Sequence, residues 1–187
     1  MDTKIVKRKR FRIIMDVLIT ILLIVGDQVS KHYAVVYLKG KSPIVLIKDV
    51  LQLQYLENRG AAFGMLQNQK VFFVLIAVII LLVILYVMIK MPGYRKYDGL
   101  NFFLVLIASG AIGNMIDRLI QDYVVDFIYF SLIDFPIFNV ADIYVTCSTV
   151  LLVIALLFVY KENDFAFLSL KPQLTRDPEQ YRERNHK

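Results

Sequence analysis

"VFFVLIAVIILLVILYVMI", Val71 to Ile89, carries no charged side chain over its whole length. As a helix it would span about 28 Å, close to the hydrocarbon thickness of a bilayer, where a continuous helix satisfies its own backbone hydrogen bonds. The stretch therefore reads as a membrane span. Just beyond it, "KMPGYRKYDG" breaks the helix at Pro92 and Gly93 and carries Lys90, Arg95 and Lys96, which suits a short cytoplasmic loop.

Working outward, a further span is expected from about Leu100 to Leu119. Its Ser109, Gly110 and Gly113 would let another helix approach closely. Another is expected from about Val140 to Tyr160. At the amino end, "MDTKIVKRKRFR" precedes "IIMDVLITILLIVG" in the manner of a secretory signal, yet no small-residue cleavage pattern closes it. The helical pattern continues through "DQVSKHYAVVYL" toward Gly40, so the reading is an uncleaved first span of about 27 residues, roughly 40 Å long. Between the first two spans, residues 41–70 show period-two alternation, with Leu51, Leu53 and Tyr55 set against Gln52 and Gln54, which predicts a short β-hairpin or small sheet.

The fold class expected is thus an all-α polytopic membrane protein, with four transmembrane helices and a small extracytoplasmic β-hairpin or sheet. The four-span unit would occupy 1–160, and 161–187 would be a cytoplasmic polar tail, partly disordered. A chain that is 58% hydrophobic, with mean hydropathy +0.58, is too apolar for an ordinary soluble domain. Its net charge of +6 comes largely from basic residues beside the apolar runs, and no aromatic-basic recognition module is present, so no nucleic acid partner is expected. The basic amino terminus and the Arg95 loop place both termini in the cytoplasm by the positive-inside rule. The single cysteine, Cys147, excludes an internal disulfide and a cysteine-based metal site, and is read as a packing residue.

Polar residues in such a chain need a reason. Asp27 and Lys31 stand four apart on one helix face, as an ordinary ion pair would. "NRGAAFG" offers Gly60 and Gly64 for tight turns or for a plain loop tip. In "GNMIDRL", Asn114 and Asp117 share a face beside Arg118, and a network knitting helices together would explain them as well as chemistry does. Asn139 is a good N-cap and Asp142 falls three residues on, so "FNVAD" could simply start a helix. That account does not reach Asp126, which sits in "VVDF" with no base nearby in sequence. Asp134, between them, reads as a solvated loop acid.

Two carboxylates sharing one water can divide roles, one ionised as general base and the other protonated as general acid, and peptide hydrolysis can use that division. With only His32 and His186, a Ser-His-Asp set is disfavoured, and no HExxH motif is present. A small transporter using the acids as a proton relay would predict paired halves, and no internal repeat is seen. A purely structural membrane protein is the other alternative.

"DQVSKHYA", "ENRGAAFG", "GAIGNMIDRL", "VVDF" and "FNVAD" occur in that order, and together they resemble the lipoprotein signal peptidases, bacterial membrane aspartyl peptidases. The likeness runs from about Gly26 to Leu152. It implies a protease that removes the signal peptide of diacylglyceryl-modified prolipoproteins just before the lipidated cysteine, with no cofactor and no metal. The catalytic pair implied is Asp126 and Asp142. Asp117 would support; Asn58, Asn114, Arg118 and Asn139 would bind substrate backbone or position the pair; Asp27 and Lys31 would brace the site; and Gly60 belongs to the "ENRG" block. Residues 41–70 would form the outer β-cradle. The implied setting is the bacterial cytoplasmic (inner) membrane, crossed several times by a monomer in contact with the lipid bilayer, with the site at the outer face. This chain departs from the pattern in the extra acid Asp122 and a longer tail. Asp142, near a helix start, is expected to ionise more readily than Asp126.

Overall fold

The computed structural model describes residues 3–60 and 69–169. In chain order these form α1 (Thr3–Leu38), β1 (Ile44–Ile47), β2 (Leu51–Asn58), α2 (Lys70–Lys90), α3 (Asp98–Gln121), β3 (Val124–Phe130) and α4 (Val140–Phe158). Short 3-10 turns lie at Arg95–Tyr97, Ser131–Ile133 and Glu162–Leu168. The four helices are long and apolar enough to cross a membrane. Gly64, offered by the sequence for a tight turn or a plain loop tip, and the tail beyond Ser169 lie outside the described residues.

α3 is the axis of the bundle. It buries Leu100, Leu104, Val105, Ser109, Gly110 and Gly113, and packs against each of the other three helices. α2 is the opposite case: apolar on every side, it buries only Ile84, so lipid must cover the rest. Two glycines set the close approaches. A Cβ on Gly110 would lie 2.5 Å from the Ala141 carbonyl oxygen and 2.7 Å from Val145 Cγ2 of α4. One on Gly113 would lie 2.6 Å from Asp27 Oδ2 of α1. With no side chain there, three helices can meet at a single level.

β1, β2 and β3 form an antiparallel sheet in that order, with Leu53 opposite Ile128 and Leu56 opposite Asp126. The hairpin expected in 41–70 is present, turning at Asp49, whose φ is 59°. β3 lies in the stretch between the last two expected spans, where the sequence analysis expected no strand. Val124, Val125, Asp126 and Phe127 are all buried, so the strand shows none of the alternation that marks a half-exposed one. Val125 and Phe127 pack with Ala34 and Leu38 of α1, which fastens the sheet to the end of the bundle.

The first span also differs. α1 has 36 residues, about 54 Å at 1.5 Å per residue, because the basic stretch expected to precede the span is itself helical. Its side chains explain the extension. Lys9 Nζ donates to the Ile89 carbonyl at 2.6 Å, Arg12 to those of Pro92 and Met91 at 3.1 and 3.3 Å, and Arg8 to that of Gly93 at 3.3 Å. These are carbonyls at and just beyond the end of α2, where the helix leaves acceptors without intrahelical donors. After α4, Phe165 and Phe167 of the final 3-10 turn pack onto Tyr160 and Tyr97. Cys147 is a further correction: it lies exposed on α4 and is not a packing residue.

Candidate active site

α4 begins with a capping box. Asn139 Oδ1 accepts the Asp142 backbone N–H at 3.0 Å, and the Asn139 N–H donates back to Asp142 Oδ2 at 3.1 Å. The ordinary N-terminal signal in "FNVAD" is therefore real. The same asparagine does more than cap. Its Nδ2 donates to Asp126 Oδ1 at 2.6 Å, so one side chain links the carboxylate of β3 to that of α4.

Every oxygen of the two carboxyl groups accepts a hydrogen bond. Asp126 Oδ2 receives Asn58 Nδ2 at 2.8 Å, and Asp142 Oδ1 receives Asn114 Nδ2 at 2.7 Å. Amide side chains can flip, so something must hold Asn114 with its nitrogen toward Asp142. Lys31 does so by donating to Asn114 Oδ1 at 2.9 Å, and Asn139 Nδ2 donates to the same oxygen at 3.2 Å. Lys31 also pairs with Asp27 at 2.8 Å and with Asp117 at 2.9 Å, so its three N–H groups have three acceptors. The i, i+4 pair foreseen in α1 supplies two of the three members of a buried triad.

That triad holds the frame around the pair. Asp27 Oδ1 accepts the Ala141 N–H at 2.9 Å, taking one of the backbone donors that the first turn of α4 leaves over. Asp117 Oδ2 accepts the Val125 N–H at 3.4 Å, one residue before Asp126. Gln28, which the sequence reading did not single out, donates to Asp117 Oδ1 at 2.9 Å and to the Gly113 carbonyl at 3.2 Å. Its signal was its place in "DQVSK", one residue after Asp27 and three before Lys31, on the same side of the helix.

The sequence-predicted residues divide by position. Asn58, Gly60, Arg118, Asp126 and Asp142 line a cavity of about 640 Å³ beneath the sheet. Asp27, Lys31, Asn114, Asp117 and Asn139 stand behind it. Arg118 is held in the cavity lining by three contacts: it donates to the Asn114 and Gly60 carbonyls at 3.3 and 3.4 Å, and its guanidinium carbon lies 4.7 Å from the Phe73 ring centre of α2. The Gly60 N–H in turn donates to Asn58 Oδ1 at 3.0 Å, which fixes the Asn58 amide with its nitrogen toward Asp126. Asp134, by contrast, is exposed and accepts the Tyr129 hydroxyl at 2.7 Å, and Asp122 pairs with Lys70 at 2.6 Å. Neither lines the cavity.

Asp126 is 1% exposed, and its pKa is pushed up to about 7. Burial is the main cause and the neighbouring Asp142 charge the second, while the Asn58 and Asn139 amides and the Lys31 charge oppose them. A carboxyl group held there carries a proton near neutral pH. Among the described residues no group of three or more His, Cys, Asp or Glu side chains converges as a metal-binding set.

The family model for signal peptidase (SPase) II matches residues 19–158. The chain belongs to the signal peptidase II family. Among its relatives are the lipoprotein signal peptidases of Streptococcus thermophilus (strain CNRZ 1066), 45% identical over 147 residues that cover 78% of this chain and 93% of that one, and of Clostridium tetani (strain Massachusetts / E88), 43% identical over 155 residues covering 81% and 96%. A bacterial membrane enzyme solved by the in meso method at 2.3 Å resolution shares the fold with a TM-score of 0.68 and 33% identity, over 84% of this chain and 93% of that one. As a signal peptidase II, the chain is a peptidase and a multi-pass protein of the bacterial inner membrane.

Proposed function

We propose that this signal peptidase II is an aspartyl endopeptidase that removes the signal peptide from diacylglyceryl-modified prolipoproteins, cutting just before the lipidated cysteine. The observation that carries the reading is the joining of Asp126 and Asp142 through Asn139 at the wall of one cavity. Their surroundings differ in the way acid–base division requires. Asp126, buried and with its pKa pushed up to about 7, is assigned the proton. Asp142, in the first turn of α4 with the Asn139 N–H upon it, is assigned the negative charge.

In the reaction, Asp142 takes a proton from a water molecule whose oxygen attacks the scissile carbonyl carbon, and Asp126 gives its proton to the carbonyl oxygen. Collapse of the tetrahedral intermediate breaks the C–N bond. The proton held by Asp142 passes to the leaving nitrogen, and Asp126 regains its own from the hydroxyl. The products are a new carboxyl group on the signal peptide and a free amino group on the lipidated cysteine. Asn58, Asn114 and Asn139 act as positioning residues, keeping both carboxyl groups oriented. Lys31, Asp27 and Asp117 hold that frame, and Arg118 with the Gly60 backbone forms the rim that meets the substrate chain.

The sheet end is assigned to the outer membrane face, because the opposite end carries the Arg8, Lys9, Arg12, Lys90, Arg95 and Lys96 cluster. Both termini, with the 161–187 tail, are then cytoplasmic. The active species in this reading is a monomer. The test is cleavage of a diacylglyceryl-modified prolipoprotein by the purified chain in lipid. Asp126→Asn and Asp142→Asn should each lower kcat by about 10³-fold or more. Near-normal turnover in either variant would remove the proposed pair.

A further inference from the structure

Gln28 of α1 takes part in no step assigned above and is not in the cavity wall. Its side-chain amide nonetheless sits between the two carboxylates that flank Lys31. Nε2 donates to Asp117 Oδ1 at 2.9 Å, to the Gly113 carbonyl at 3.2 Å and to Asp27 Oδ2 at 3.2 Å. Three acceptors face it, so the amide is held with its nitrogen inward. The two carboxylates depend on it unequally. Asp27 keeps other donors on both oxygens, Lys31 on Oδ2 at 2.8 Å and the Ala141 N–H on Oδ1 at 2.9 Å. Asp117 Oδ2 is shared by Lys31 at 2.9 Å and the Val125 N–H at 3.4 Å, but Asp117 Oδ1 has Gln28 as its one donor among the described residues. Asp117 is 4% exposed, and a carboxylate oxygen buried without a donor is costly enough to turn the group toward another. Such a turn would draw Oδ2 off the Val125 N–H, the backbone group one residue before Asp126.

We propose that Gln28 is a positioning residue for Asp126: by holding Asp117 Oδ1 it keeps Asp117 Oδ2 on the Val125 N–H, and so fixes the strand that carries the acid. This inference rests on the peptidase reading above. The Asp142 half of the site does not need Gln28, because Asp27 holds the start of α4 through Ala141 with Lys31 as its partner. Gln28 therefore acts on one member of the pair and not on the other, and it acts on the geometry of the reacting groups and not on the surface that binds substrate.

The test uses the purified full-length chain in lipid nanodiscs, a diacylglyceryl-modified substrate peptide and Gln28→Met, which keeps the length of the side chain and removes its donor. The variant should lower kcat about tenfold while KM stays within about twofold. An unchanged kcat overturns the proposal, as does a loss carried by KM. Amide exchange, read residue by residue, is the second measurement and needs no substrate. The Val125 amide should exchange about tenfold faster in Gln28→Met, and the Ala141 amide at the wild-type rate. Equal acceleration of both, or of neither, overturns the proposal. Should Gln28→Met fail to fold by itself, the substitution is read in the Asp117→Asn chain, where the oxygen it served is no longer charged. There it should change kcat less than about twofold, because the two residues act in series, and a further tenfold fall overturns the proposal. A wild type that leaves the peptide uncut removes the peptidase reading, and amide exchange then decides the role of Gln28 alone.

Discussion

The two ends of the bundle use the same residue types in opposite ways. At the sheet end, Lys31 is 3% exposed and lies between Asp27 and Asp117, both buried as well. At the basic end, Arg8 pairs with Asp98 and Lys96 with Asp164, with much of each pair open to solvent. Buried charges must be matched and fully hydrogen-bonded, whereas exposed ones are screened and replaceable. The first end therefore positions the site, and the second closes off a helix terminus.

The sharpest way to break this comparison is to remove one charge from each end. Lys31→Ala leaves two buried carboxylates without a countercharge and should cost about 3–5 kcal/mol, enough to lose most of the folded protein. Arg8→Ala should cost less than about 1 kcal/mol. Thermal unfolding in detergent compares them, and equal shifts would sink the distinction.

Proton linkage provides a second contrast. Asp126 keeps its proton up to about pH 7 in the folded chain, against an ordinary value of 3.8 in the unfolded one. Between those limits the folded state binds more protons, so the contribution of Asp126 to stability is complete below about pH 4 and is lost as pH rises through 7. The loss is on the order of 2–4 kcal/mol. Unfolding measured from pH 4 to pH 8 should show it, and Asp126→Asn should flatten that slope. A slope that survives the substitution would assign the proton elsewhere.

Glycines extend the comparison on a smaller scale. Gly113→Ala drives a Cβ toward Asp27 Oδ2, the atom that holds Lys31, and should cost about 1–3 kcal/mol along with much of the activity. Gly99 at the basic end has its nearest neighbour, the Tyr160 hydroxyl, at 3.8 Å. Gly99→Ala should be neutral or stabilising by up to about 1 kcal/mol, as measured by the same unfolding assay. The smallest effect is electrostatic. Asn58→Ala removes a donor to Asp126, so the alkaline limb of the kcat/KM profile should move upward by about one pH unit. A downward shift would contradict the assignment of Asp126 as the protonated member.

The spans were legible because an uncharged apolar run such as Val71–Ile89 has few alternatives to a membrane helix. The start of α1 was not, since Lys and Arg beside a span normally read as a flank; here Arg8, Lys9 and Arg12 remain helical because the end of α2 gives them carbonyls to cap. β3 was missed because its first four residues are buried on both faces, which erases the period-two pattern. At the site, residue types and spacing singled out Asp126, Asp142 and Asn139, but no sequence pattern states that Asn139 bridges two elements or that Lys31 orients Asn114. Those contacts depend on three helices meeting at Gly110 and Gly113. The buried pair formed by Asn101 Nδ2 and Asp16 Oδ1, at 2.7 Å, was likewise invisible, since its partners lie on different spans.

The central claim is that one environment splits two aspartates into an acid and a base. Difference infrared spectroscopy of the protonated carboxyl C=O stretch, recorded between pH 5 and pH 8 on wild type, Asp126→Asn and Asp142→Asn, reads that division directly. The account predicts a band titrating near pH 7 that is absent in Asp126→Asn and persists, shifted to lower pH by the loss of the neighbouring charge, in Asp142→Asn. A band that survives Asp126→Asn and vanishes in Asp142→Asn would contradict it.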